Sequence, residues 1–253
     1  MKPLIVANWK LNPTNQKEVK ELFEKIKKGV SKIKGVEVVI CPPFVFLPLI
    51  KGLSLGAQNV YFEEKGAFTG EISALMLKDL KIDYVIVGHS ERRKHFKETD
   101  EIINRKIKKA LAASLKIIFC VGETAGEKAA GKKSNILESQ LKEGLNGISK
   151  DDAKKINIAY EPVWSIGTGN NCSVDETMSS VLYIKKVLAG IYNRQTADSI
   201  RIIYGGSVKS ANSGDYIKKA GASGLLVGGS SLDAGEFIKI IKSAEYVQAT
   251  EHN

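Results

Sequence analysis

Short apolar runs rich in β-branched residues recur along the chain, separated by longer stretches in which apolar and charged positions mix. The runs are Leu4–Ala7, Val36–Ile40, Leu55–Gln58, Tyr84–Val87, Ile117–Val121, Ile156–Tyr160, Ile200–Tyr204 and Leu225–Val227. A strand with one wet face alternates apolar and polar residues; these are apolar at nearly every position. That is how strands covered on both faces read, as in a parallel sheet wrapped by helices. Between the runs the period changes. Val19, Leu22, Phe23, Ile26, Val30 and Ile33 repeat at helical spacing, as do Ile103, Ile107, Ala110 and Leu111, and then Met178, Val181, Ile184, Leu188 and Ile191. Each set predicts one buried helix face. Ser173 with Glu176 has the spacing of a capping box, and Asp233 with Glu236 has a related arrangement at the last helix.

Eight strand-then-helix units over 253 residues average about 32 residues each, enough for a strand, a loop and a helix. No linker rich in Pro, Gly or Ser interrupts them, so residues 1–253 read as one domain of α/β class. Eight such units most simply close into a (β/α)8 barrel, although a strand count alone also admits a doubly wound open sheet.

Composition narrows the function classes. The chain is 43% hydrophobic and 26% charged, the profile of a globular protein. Lys+Arg 38 against Asp+Glu 28 gives a net charge of +10, which attracts phosphorylated metabolites and polyanions alike. The lysine excess is spread along helices, with Glu21 and Lys25, Glu24 and Lys28, and Glu101 and Arg105 at i,i+4 spacing, which reads as a solvated exterior. Aromatic residues do not alternate with basic ones as on a single-strand nucleic-acid platform, so no nucleic-acid partner is expected. No apolar run approaches the roughly 18 to 20 residues of a membrane span, and Met1 to Lys20 lacks a signal-peptide core. A cytoplasmic location without a membrane partner is therefore expected. Cys41, Cys120 and Cys172 are far apart and form no CxxC or Cys/His cluster, so neither a disulfide framework nor a metal site is expected.

In a parallel barrel all strands end on one face, and active sites are assembled there. After the first strand come Asn8, Trp9 and Lys10; after the fourth, Gly88, His89, Ser90 and Glu91; after the sixth, Glu161. The loops Gly205-Gly206-Ser207, Gly228-Gly229 and Gly167-Thr168-Gly169 let backbone N–H groups approach an anion. Each is a common turn by itself, but their joint occurrence after strands seven and eight points to one phosphate cradle. No GxxxxGK[ST] motif is present, which argues against a nucleoside triphosphate.

Asn8-Trp9-Lys10, Gly88-His89-Ser90-Glu91-Arg92-Arg93, Ala159-Tyr160-Glu161-Pro162-Val163-Trp164, Ile166-Gly167-Thr168-Gly169, Tyr204-Gly205-Gly206-Ser207-Val208 and Leu226-Val227-Gly228-Gly229 resemble the signature segments of the triosephosphate isomerase family. They occur in the family's order and span nearly the whole chain. The resemblance implies a (β/α)8 TIM barrel and interconversion of dihydroxyacetone phosphate and D-glyceraldehyde 3-phosphate, a step of glycolysis and gluconeogenesis, with no cofactor. Moving a proton between adjacent carbons needs a base, an electrophile at the carbonyl oxygen and a held phosphate. The resemblance assigns Glu161 as base, His89 as electrophile and Lys10 as stabiliser of the developing negative oxygen. It adds Asn8, Gly167, Ser207, Gly228 and Gly229 to Lys10 as substrate-binding residues. A neutral imidazole is implied at His89, a property for which this family is itself the standard example. The same analogy implies that Glu91 pairs with Lys10; the alternative is an exposed carboxylate at a helix start. His95 and His252 receive no role, and Cys120 reads as a buried apolar thiol.

The enediolate of such a substrate can lose phosphate, so a lid that excludes water is required. Pro162 to Cys172 is the lid, stiff at Pro162-Val163-Trp164 and glycine-rich at its tip. Here the chain departs from the family: Ser165 replaces the usual alanine, and Asn170-Asn171-Cys172 replaces a hinge that usually carries a lysine and an alanine. The long stretch Asn59 to Met76 carries Tyr61, Phe62, Phe68 and Thr69. In the family the Gly66-Ala67-Phe68-Thr69-Gly70 loop enters a second subunit, which implies a homodimer; the alternative is a lid over its own barrel. Two rival readings remain at this stage. One is another phosphate-binding barrel enzyme, such as a sugar-phosphate epimerase, which would share the cradle but not the set Lys10, His89 and Glu161. The other is a non-catalytic polyanion-binding protein resting on the charge.

Overall fold

The structure, a computed structural model, describes residues 1–167 and 169–250, with side chains as far as Glu245. Eight parallel strands, β1 (Leu4–Asn8), β2 (Glu37–Cys41), β3 (Ser54–Ala57), β4 (Tyr84–Val87), β5 (Lys116–Val121), β6 (Ile156–Tyr160), β7 (Ile202–Tyr204) and β8 (Gly224–Val227), lie in sequence order around a closed barrel. Closure is made by β1 pairing with β8, Leu4 opposite Gly224 and Ile5 opposite Leu225, which removes the open-sheet alternative. Gly224 has φ +151, and a Cβ added there would lie 2.0 Å from the Leu4 carbonyl oxygen. The seam closes because residue 224 has no side chain.

The uniform hydrophobicity of the strands has a simple geometric origin. Successive residues point to opposite faces. Leu4, Val6, Val39, Cys41, Tyr84, Ile86, Ile118, Cys120, Ala159, Ile203 and Leu226 fill the barrel interior. Ile5, Ala7, Ile40, Val85, Val87, Ile117, Phe119, Ile158, Ile202 and Leu225 pack outward with the helices. Both sets are buried, so polar residues are rare there; Asn157 in β6 is accommodated because its amide donates to the Ile117 carbonyl. At the N-terminal end of the barrel Glu37 gathers Tyr84, Arg201 and Lys116 around its carboxylate. Burial alone would raise the Glu37 carboxyl, but hydrogen bonds from Tyr84 and Arg201 and the two positive charges hold it below its ordinary value.

Several local expectations are corrected. Val36, Gln58, Ile200 and Arg201 fall just outside their strands. Met178, placed on a buried helix face, is 39% exposed. Among the described residues none of the three i,i+4 ion pairs forms; Glu24 meets Lys27 and Arg105 meets Glu63. Ser173 and Asp233 do cap helix N-termini, accepting from the N–H groups of Glu176 and Glu236. The two glutamates do not close the box. Glu176 turns to Lys128 and Lys133, and Glu236 to Ser210. For Glu176 two lysine charges outcompete the local backbone N–H, and Glu236 instead accepts the N–H and hydroxyl of Ser210 on the neighbouring helix.

Candidate active site

A cavity of about 320 Å³ opens at the C-terminal ends of the strands. All eight residues nominated from sequence line it: Asn8, Lys10, His89, Glu161, Gly167, Ser207, Gly228 and Gly229. Thr168 and His252 lie outside the described residues, and His95 is exposed on a helix.

Each reactive side chain is placed by the element before it. Beyond β1 the chain turns through the buried Trp9 to Lys10, whose φ of +54 lies in the left-handed region that a side chain disfavours. Two neighbours hold that turn. The Lys10 N–H donates to Asn8 Oδ1 at 3.1 Å, and Gln58 Nε2 donates to the carbonyl oxygens of Lys10 at 2.8 Å and Cys41 at 2.9 Å. Lys10 Nζ then reaches Glu91 Oε1 at 2.5 Å. Burial would raise the Glu91 carboxyl, yet the hydrogen bond from Lys10 and the surrounding positive charge bring it below its ordinary value. The ammonium therefore faces a carboxylate, while its stem approaches the cradle glycine, Gly228.

His89 follows β4 as the N-cap of the helix Ser90–Phe96. Its Nδ1 accepts the backbone N–H of Glu91 at 3.2 Å. A ring nitrogen that accepts carries no proton, so the neutral tautomer has its proton on Nε2. Nε2 stands 3.1 Å from Glu161 Oε1. The second carboxylate oxygen, Oε2, accepts the Ser90 N–H at 3.0 Å. Glu161 is 2% exposed and His89 6%, so the carboxylate and imidazole meet where water does not compete with them. Gly205 leaves the room: a Cβ there would come within 3.0 Å of Glu161 Cγ. Cys120, buried in the barrel, carries a thiol pushed well above its ordinary value by burial and by the Glu161 carboxylate, which leaves it unreactive.

Three backbone-rich loops line the same cavity. Ser207 follows β7, and Gly228 and Gly229 follow β8 and start the short 3-10 helix Gly229–Leu232. Ser230 Oγ donates to the Val208 carbonyl, which ties the two loops together, and Ser231 Oγ donates to the Gly228 carbonyl within the second loop. Gly167 and Gly169, with φ of +69 and +77, form the tip of the sixth loop over this corner. The cavity also contains Lys209 and Ser230, which the sequence reading missed. Their signal was adjacency, since each lies one or two residues beyond a cradle motif. Among the described residues no three His, Cys, Asp or Glu side chains converge to hold a metal ion, and no helix is long and apolar enough to cross a membrane.

A closed parallel barrel with a buried carboxylate–imidazole pair and glycine-rich loops around one cavity at its C-terminal face defines a (β/α)8 barrel of the enzyme type. A family model described as triosephosphate isomerase matches residues 3–244. A triosephosphate isomerase from Caldanaerobacter subterraneus subsp. tengcongensis is 45% identical over 246 residues, covering 95% of this chain and 98% of the relative. Those of Carboxydothermus hydrogenoformans and Clostridium tetani are each 44% identical, over 252 and 249 residues, covering 96% and 95% of this chain and 99% and 96% of the relatives. The chain belongs to the triosephosphate isomerase family.

Proposed function

We propose that this chain interconverts dihydroxyacetone phosphate and D-glyceraldehyde 3-phosphate through an enediolate, acting in glycolysis and gluconeogenesis without a cofactor. Glu161 removes the proton from the carbon beside the carbonyl, and His89 supplies the Nε2 proton to the carbonyl oxygen. The Lys10 ammonium stabilises the negative charge that develops there. Ser207, Gly228, Gly229 and the Gly167 turn hold the phosphate, and Asn8 fixes Lys10. Returning the proton from Glu161 to the neighbouring carbon completes the exchange. The observation that carries this reading is the 3.1 Å contact between His89 Nε2 and Glu161 Oε1 inside a cavity that Ser207, Gly228 and Gly229 also line. A coupled assay with glyceraldehyde 3-phosphate tests it. Glu161→Gln should lower kcat by about 10³, within the range for a positioned base; retained activity removes Glu161 from that role.

The working unit is a homodimer of single-domain cytoplasmic chains. Support comes from the Asn59 to Met76 stretch, which does not line the cavity and leaves Phe68 41% exposed. Tyr61 stacks on Phe62 and contacts Phe68, with ring centroids 4.2 and 4.9 Å apart. Val45, Leu75 and Met76 are also exposed. Large apolar side chains left in water are what a subunit interface covers.

A further inference from the structure

His89 is flanked by two peptide carbonyls, and one residue holds both. The Arg93 N–H donates to the His89 carbonyl at 3.1 Å, at the start of the helix Ser90–Phe96. The Arg93 side chain then folds back, and its Nε donates to the Gly88 carbonyl at 2.9 Å. A peptide unit is planar, so fixing its carbonyl fixes the whole plane. Arg93 therefore restrains the planes on either side of the His89 Cα. Gly88 makes that restraint necessary. Its φ is +74, and a glycine passes between positive and negative φ at little cost, so the chain entering His89 has no stiffness of its own.

The same guanidinium reaches the next strand. Nη2 donates to the Cys120 carbonyl at 3.3 Å, one residue before the end of β5. The last residue of β5, Val121, accepts the Glu161 N–H at 2.8 Å. Arg93 thus links the end of β4, which leads into His89, to the end of β5, from which the Glu161 backbone hangs. Nη1 completes the arrangement on Asp100 Oδ1 at 2.6 Å, at the first residue of the helix Asp100–Ala112. Each nitrogen of the fork has its own acceptor, and the arginine and aspartate side chains are only 19% and 17% exposed. A guanidinium is rigid and planar, so three acceptors on one fork keep a fixed mutual geometry. Arg93 itself does not line the cavity.

We propose that Arg93 is a positioning residue of the isomerase reaction: its guanidinium sets the register between the two strand ends so that His89 Nε2 and Glu161 Oε1 meet at 3.1 Å. The inference rests on the isomerase reading above. The loops after β7 and β8, assigned to the phosphate, lie outside this network of bonds. Loss of the fork therefore acts on proton transfer and leaves substrate binding alone.

Arg93→Met keeps an unbranched side chain and removes the fork. The expected result is a fall of about 100-fold in kcat, the effect of a displacement near 1 Å at a reacting group. KM for dihydroxyacetone phosphate and the dissociation constant of inorganic phosphate should stay within about twofold of wild type. In 15N NMR of histidine-labelled protein the His89 ring signals, assigned with His89→Gln, should shift, because Nδ1 loses its set approach to the Glu91 N–H. A merely structural role lowers the melting temperature and moves neither kcat nor these signals. Arg93→Lys keeps the charge beside Asp100 but offers one compact donor group in place of the fork, so its kcat should also stay about tenfold below wild type. It decides the matter if the methionine variant does not fold. Wild-type kcat in a folded variant overturns the proposal, as do unchanged His89 signals or a loss of kcat matched by an equal rise in KM. A wild-type chain without isomerase activity overturns the reading beneath it and the proposal together.

Discussion

The main-chain carbonyl of Glu161 occupies the space that a side chain on Gly122 would need: a Cβ added at Gly122 would lie 1.7 Å from that oxygen. Gly122 cannot yield, because Gln140 clamps it on both sides, accepting from its N–H at 2.8 Å and donating to its carbonyl at 3.2 Å. Glu161, the proposed base, must move instead. Gly122→Ala is expected to lower isomerase kcat by about 100-fold, since a displacement near 1 Å at a reacting group has that effect. Circular dichroism should show the barrel retained. Wild-type activity in the alanine variant would mean that the base does not need its present seat.

Ser165 is fully buried, and its Oγ has no hydrogen-bond partner among the described residues. A buried hydroxyl left without a partner costs about 1 to 3 kcal/mol. Ser165→Ala should therefore raise the melting temperature by a few degrees, as about 1 kcal/mol does for a chain of this size. The proton-transfer step should be unaffected. A large loss of kcat would show that the hydroxyl takes part in lid closure.

Phe68→Asp places a charge on the exposed aromatic cluster with Tyr61 and Phe62. Sedimentation should shift from a dimer to a monomer, because desolvating an unpaired carboxylate at an interface is strongly unfavourable. Unchanged sedimentation would remove the loop from the interface.

Glu37 yields a pH-dependent test. Its folded carboxyl lies below the ordinary value of 4.5, so the carboxylate is favoured by folding. A depressed folded value contributes stability that is present above the unfolded value and is lost as pH falls through the folded one. Glu37→Gln should therefore be less stable than wild type in urea at pH 7. The difference should shrink as pH drops below about 4.5, where the wild-type carboxylate takes up its proton. A difference constant down to pH 3 would mean that packing, not charge, sets the effect.

The barrel and its mouth were legible because two simple periodicities governed them. Strands covered on both faces have few polar positions, and the first polar residues after them, such as Lys10, His89 and Glu161, are therefore conspicuous. What stayed hidden depends on contacts between remote segments. Gln58 reads as the end of a strand, yet it braces the Lys10 turn. Met178 fits the helical period but sits at the edge of the buried arc, and periodicity alone does not give the width of that arc. Glu176 and Glu236 have the spacing to cap their helices, but partners on other elements claim their carboxylates.

The β1–β8 seam sets the order in which the enzyme comes into being. A chain emerging from its N-terminus has Lys10, His89 and Glu161 long before it has Gly228, and until β8 docks, both β1 and β7 carry bare ladder edges open to foreign strands. On the proposed assignment the site is thus completed only with the last strand, and a chain ending before Gly224 would leave both edges unpaired.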